Sequence, residues 1–200
     1  MALRNASVLI VIATAVGCGN GNSVTSDEQA RRAYLGLDKS ISKSLALGFA
    51  GYNAASNANI PTQMAAGDVT GTLTITGHVD QGTPNQASMG LAAAMAMYSD
   101  GKIVVDDKND TITVTYATEM ATPPSLSLKL NSSAGDTLTG SLDGDYAMSG
   151  DLQGTVTLNL QISGTFSGTA PNVMRVAGST TVTGTAVNSS GGTYMVNTKI

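Results

Sequence analysis

The chain has 200 residues, 42% hydrophobic and only 12% charged, with one cysteine, no tryptophan and a net charge of -4. A single cysteine excludes an intrachain disulfide and a CxxC redox centre, and the acidic balance offers no basic face to nucleic acid.

Residues 1–5 carry one positive charge, on Arg4, and Ala6 to Ala15 form an apolar run. A charged start followed by a run of about ten apolar residues is the order of a secretory signal. The run is too short to span a bilayer, which takes roughly 20 such residues. Ala15-Val16-Gly17-Cys18 follows at once. This stretch resembles the lipobox of bacterial lipoproteins, with Ala15 where that family more often carries leucine. The resemblance implies cleavage before Cys18, lipid on its sulfur and attachment of the mature protein to a membrane. It also implies export to the cell envelope, and Gly19, standing where an aspartate often retains lipoproteins at the inner membrane, favours the outer membrane, facing either periplasm or medium. Each buried methylene contributes about 0.8 kcal/mol, so two or three acyl chains hold firmly. Without the lipid Cys18 would be a small buried hydrophobe, but the flanking Gly19-Asn20-Gly21-Asn22-Ser23 cannot build a core around it.

The organisation read from this is a signal peptide over residues 1–17, a lipidated tether over 18–25 and one domain over 26–200. Losing Arg4 leaves nine basic and fourteen acidic side chains in the mature part. A helix is expected from Asp27 to about Tyr52. Ser26 caps it, Gln29 completes a capping box, and Asp27 and Glu28 suit the positive end of the helix dipole. Ala30, Tyr34, Leu37, Ile41, Leu45, Gly48 and Tyr52 recur at steps of three or four, which gives one apolar face. Residues 53–66, with Pro61, read as a loop.

From Asp68 the period changes to two: Val69, Leu73, Ile75 and Val79 alternate with threonines and His78. The alternation returns around Ile112, Leu126, Leu152 to Ile162, Val182 and Tyr194, with turn signals between, among them Asp143-Gly144. Short spacers favour an antiparallel meander of about eight or nine strands. Gly71, Gly77, Gly154 and Gly184 fall on apolar strand faces, where glycine marks bends. The expected fold is mainly β: a curved meander sheet, half-barrel or barrel-like, with the amphipathic helix packed on its apolar face. The segments starting at Gly67 and Gly150 resemble each other, as a duplication would leave them.

His78 is the only histidine, on a polar strand face, and no G-x-S-x-G occurs, so a catalytic triad has little to be built from. The acidic runs at 106–110 and at Asp143, Asp145 and Asp151 read as turns, or as calcium ligands without an EF-hand loop. Methionine is the one enrichment. Met89, Leu91, Met95 and Met97 share parity on one strand, which suits core filling, the lining of an apolar ligand site or, through thioethers, Cu(I). The functional expectation is a non-catalytic envelope lipoprotein with a structural or protein-interaction role, without cofactor or resident metal. The alternative is a module holding a lipid or acyl chain between sheet and helix.

Overall fold

The computed structural model describes residues 22–54, 59–83, 86–106, 108–169 and 172–200. The expected signal peptide and Cys18 lie outside the described residues. The chain is mainly β. Its elements are β1 (Asn22–Ser23), α1 (Asp27–Leu35), α2 (Asp38–Ala54), β2 (Asn59–Ala66), β3 (Thr70–Thr83), β4 (Gln86–Ser99), β5 (Lys102–Val104), β6 (Thr111–Ala117), β7 (Ser125–Asn131), β8 (Thr137–Gly150), β9 (Leu152–Ser167), β10 (Met174–Arg175), β11 (Thr181–Asn188) and β12 (Thr193–Lys199).

The main sheet runs β12-β11-β9-β8-β6-β4-β3-β2, with β7 also between β4 and β8. Its pairs are antiparallel, as are the short additions of β5 to β6 and β10 to β9. β1 joins β9 in parallel, Asn22 opposite Leu152. Strand alternation decides which side is core: Leu126, Leu128 and Leu130 are buried on β7 while Ser125, Ser127 and Lys129 are exposed, and β9 repeats this with Val156, Leu158, Leu160 and Ile162. Each such leucine or isoleucine taken from water contributes about 1.5–3 kcal/mol, which orients the sheet.

Three sequence expectations are corrected here. Asp143-Gly144 is not a turn but lies inside β8. Up to Asp143, β8 pairs with β7, and from Ala147 it pairs with β6. Gly144 sits at this junction with φ 148, and a Cβ there would stand 2.7 Å from the Pro124 Cα, so no other residue fits. The presumed loop 53–66 contains β2, an edge strand. Pro61 falls in a register shift between Ile60 and Gln63, where its missing N–H costs no ladder bond. The third correction is the helix, which is two helices broken at Gly36-Leu37.

The cause of the break is an inserted side chain. The Tyr116 hydroxyl donates to the Ala33 carbonyl at 2.8 Å, and the Leu37 N–H turns instead to the Tyr34 carbonyl, also at 2.8 Å. Gly36 makes room, since a Cβ there would lie 2.2 Å from the Tyr116 Oη. The apolar face nevertheless continues across the break: Ala30, Tyr34, Leu37, Ile41 and Leu45 are buried, joined by Ala33 and Phe49. α1 packs on β12 and α2 on β2, β3 and β4, so the helical segment reaches both ends of the strand order.

At the start of α1, Ser26 Oγ accepts from the Gln29 N–H at 3.2 Å, and Gln29 Oε1 accepts from the Thr25 N–H, one residue earlier than a capping box requires. Packing also begins before residue 26. Val24 is buried and its carbonyl accepts from Asn188 Nδ2. Gly71, Gly77, Gly154 and Gly184 all have positive φ, 72, 137, 88 and 147.

Gly36→Ala should destabilise the domain by about 1–3 kcal/mol through overpacking against Tyr116. Adding Tyr116→Phe removes the clashing oxygen and frees the Ala33 carbonyl for a continuous helix. The double variant should therefore lose less than the sum of the two single losses in urea unfolding, and an additive result would reject this account of the break.

Candidate functional site

The four residues expected to line an apolar site are not all brought together. Met89, Leu91 and Met95 are buried against the helical side of the sheet, whereas Met97 is 60% exposed. Parity fails because β4 gains a residue relative to β3: Thr72 pairs with Ala96 but Thr70 with Ser99. Met97 takes up the excess with φ 49, and Tyr98 becomes the core residue in its place. Such a bulge reverses every later side chain on the strand.

α2 sits directly on Met89 and Leu91. A Cβ at Gly48 would lie 2.8 Å from the Met89 sulfur and 3.6 Å from a Leu91 methyl, so helix backbone and thioether are in contact. Ile41, Leu45 and Phe49 are at most 2% exposed on the same helix. The helix's own side chains thus occupy the space over Met89 and Leu91.

Two polar clusters fasten α2, and neither is signalled by local sequence because topology brings the partners together. In the first, Lys43 Nζ reaches Asp100 at 2.6 Å, Asp68 at 2.8 Å and the Ala66 carbonyl at 3.0 Å, and lies 5.2 Å from the centre of the Tyr98 ring. Lys39 also bonds Asp68, and the Tyr98 hydroxyl donates to Asp100, whose side chain is fully buried. Burial alone would lower the Lys43 pKa, but hydrogen bonds to Asp100, Asp68 and Tyr98 outweigh it and raise it. Burial and the bond to Asp100 push the Tyr98 hydroxyl up.

In the second cluster Arg175 of β10 forks onto the Asp38 carboxylate at 2.8 and 2.9 Å and donates to Ser42 Oγ. Tyr34 donates to the same carboxylate at 2.7 Å. Burial opposes the Arg175 charge, but Asp38 more than compensates and its pKa rises; burial and Asp38 raise that of Tyr34 well above its ordinary value. A surface depression of about 270 Å³ beside the fork is lined by Ser42, Val176, Gly178, Thr180 and Ile200. The guanidinium at its wall is already neutralised, so it has little charge to offer an anion.

His78 is exposed on β3, its ring within contact distance of Gly90 on β4. Asp106 accepts from the N–H groups of Lys108 and Asp110, and Asp110 bonds Arg32, so these carboxylates serve their own turn and α1. Asp145 accepts from Thr157 across β8 and β9. Among the described residues no three His, Cys, Asp or Glu side chains are placed to hold a metal ion, and no helix is long and apolar enough to cross a membrane.

Set against known protein families, curated proteins and solved structures, the chain matches none. Its function has to be argued from its own surfaces.

The Lys39–Lys43–Asp68 group carries a pH signature. Hydrogen bonds from Lys39 and Lys43 hold Asp68 at about 2, below its ordinary 3.8. A depressed carboxylate stabilises the fold above its unfolded pKa and loses that contribution as pH falls through the folded value. The melting temperature should therefore hold between about pH 7 and 5 and fall between about pH 4 and 2. Circular dichroism melts at stepped pH should show a smaller fall across that window in Asp68→Asn. An identical fall in the variant would remove Asp68 from the account.

Proposed function

We propose that the chain is an exported, lipid-anchored and non-catalytic lipoprotein of the cell envelope, held in the outer membrane through Cys18 and acting as a structural or protein-interaction module. In this reading the sheet curls round the helical segment as a half-barrel. Support for the curl comes from the docking of α1 on β12 and α2 on β2, opposite ends of the strand order, and from the positive φ of the four strand glycines.

The observation that carries the interaction role is the filled inner face. With Ile41, Leu45 and Phe49 packed there, the surface left to meet partners is the outer face of the sheet. That face is polar and mostly uncharged: in register across five strands stand Ser127, Ser141, Gln161, Thr183 and Asn197. Hydroxyls and amides can hydrogen-bond another polar surface without the desolvation penalty of buried charge.

A second reading, a module that holds a lipid or acyl chain between sheet and helix, draws on the buried thioethers of Met89, in contact with α2, and of Met95 on the same strand. Methionine repacks readily, so a helix shift could open space there.

Mass spectrometry of membrane-extracted protein should find an acylated N-terminal Cys18 peptide and no peptide from residues 1–17. An unmodified peptide running through residues 15–20 would overturn the anchor. For the signal-less protein, a fluorescent fatty-acid titration should show no uptake at micromolar probe. Stoichiometric uptake that Met95→Lys abolishes without unfolding would instead establish the binding module.

A further inference from the structure

An antiparallel sheet ends its strands on two opposite rims, and this chain enters at one of them. Asn22 pairs with Leu152, the first residue of β9, and Asp27 accepts from the Met195 N–H near the start of β12. The same rim continues through the turn between β8 and β9 at Asp151 and through the β5–β6 hairpin. It then reaches the turns on either side of Thr70 and Ser99, which pair with each other.

Residues 19–21 alone separate Cys18 from Asn22. Fully extended, those four steps reach at most about 14 Å. The opposite rim lies at the far end of β9, whose 16 residues extend for about 50 Å. A lipid on Cys18 can therefore hold only the entry rim close to a bilayer.

The side chains of that rim fit such a neighbour. The β5–β6 hairpin projects past the sheet: β6 starts at Thr111, yet its last pair with β8 is Val114 with Gly150. Within it Val105 and Ile112 are buried and Ile103 packs on the core, while Lys102 and Val104 face away. Val104 is 57% exposed, and Val69, in the turn before β3, is 69% exposed. Four described carboxylates of the rim are engaged: Asp68 by Lys39 and Lys43, Asp110 by Arg32, Asp106 by backbone N–H groups of its turn and Asp151 by the Thr113 N–H. Among the described residues Lys102 and Lys108 pair with no carboxylate. Exposed valines and lysines on one rim suit the bilayer interface, where apolar tips enter the headgroup layer and ammonium groups meet lipid phosphates.

We propose that the entry rim is a membrane-contact surface, with Val69 and Val104 in the headgroup layer and Lys102 and Lys108 against lipid phosphates. The proposal rests on the lipid-anchor reading. It is tested with the full chain, isolated from membranes and reconstituted in vesicles of phosphatidylethanolamine and phosphatidylglycerol.

Nitroxide labels are placed singly at Val104→Cys, Val69→Cys and, on the opposite rim, Ser133→Cys; all three positions are exposed. Acylated Cys18 does not react. Labels at 69 and 104 should show several-fold lower collision with a water-soluble nickel chelate than the label at 133, and higher collision with oxygen. Acylated protein whose three labels are equally open to the chelate overturns the contact surface and leaves the anchor standing. Unmodified Cys18 overturns both.

Discussion

An apolar sheet face cannot be left in water, and covering it is the constraint on which this structure depends. Most leucine, isoleucine and valine side chains from β3 to β12 point to one side, and among the described residues the segment from Asp27 to Ala54 covers them. One straight helix would present one narrow stripe. The break at Gly36 lets α1 follow β12 while α2 lies over β2, β3 and β4. The Tyr116 hydroxyl stabilises the broken form by taking the Ala33 carbonyl that a continuous helix would have used.

Burial is non-directional, so it presses the helices onto the sheet without fixing where they sit. Position comes from ion pairs that tie each helix to separate parts of the chain: Arg32 to the β5–β6 hairpin, Lys43 to the turns flanking β3 and β4, Asp38 to β10. Exposed pairs of this kind are worth little each. The pairs to Asp100 and Arg175 differ, because those side chains are 0% and 9% exposed. Removing one partner would strand a buried charge, which makes a shifted helix costly.

Much of the sheet was legible in the sequence because a half-buried strand writes its period of two directly: β3, β6, β7, β9 and β12 are read from their leucines, valines and tyrosines. β8 was not. Its inward positions include Gly140 and Gly144, which erase the apolar period, and Asp143-Gly144 imitates a turn. β2 was hidden by Pro61, whose meaning depends on lying at an edge. On the candidate site, Met89, Leu91 and Met95 followed strand parity, and Met97 left it through a bulge set by pairing with β3. Local sequence has no record of the cross-strand register, and none of the distant residues that meet Lys43 or Arg175.

The contact between Asp27 and Met195 joins residues 168 positions apart. The first helix is made long before the strand it seals against. Contacts between such distant segments close slowly, because the intervening chain must be ordered before they are rewarded. A growing chain therefore carries α1 without the strand it packs on, and β11 stays an open edge until β12 arrives. A chain without β12 would leave α1 without the strand it packs on and β11 without one of its two neighbours.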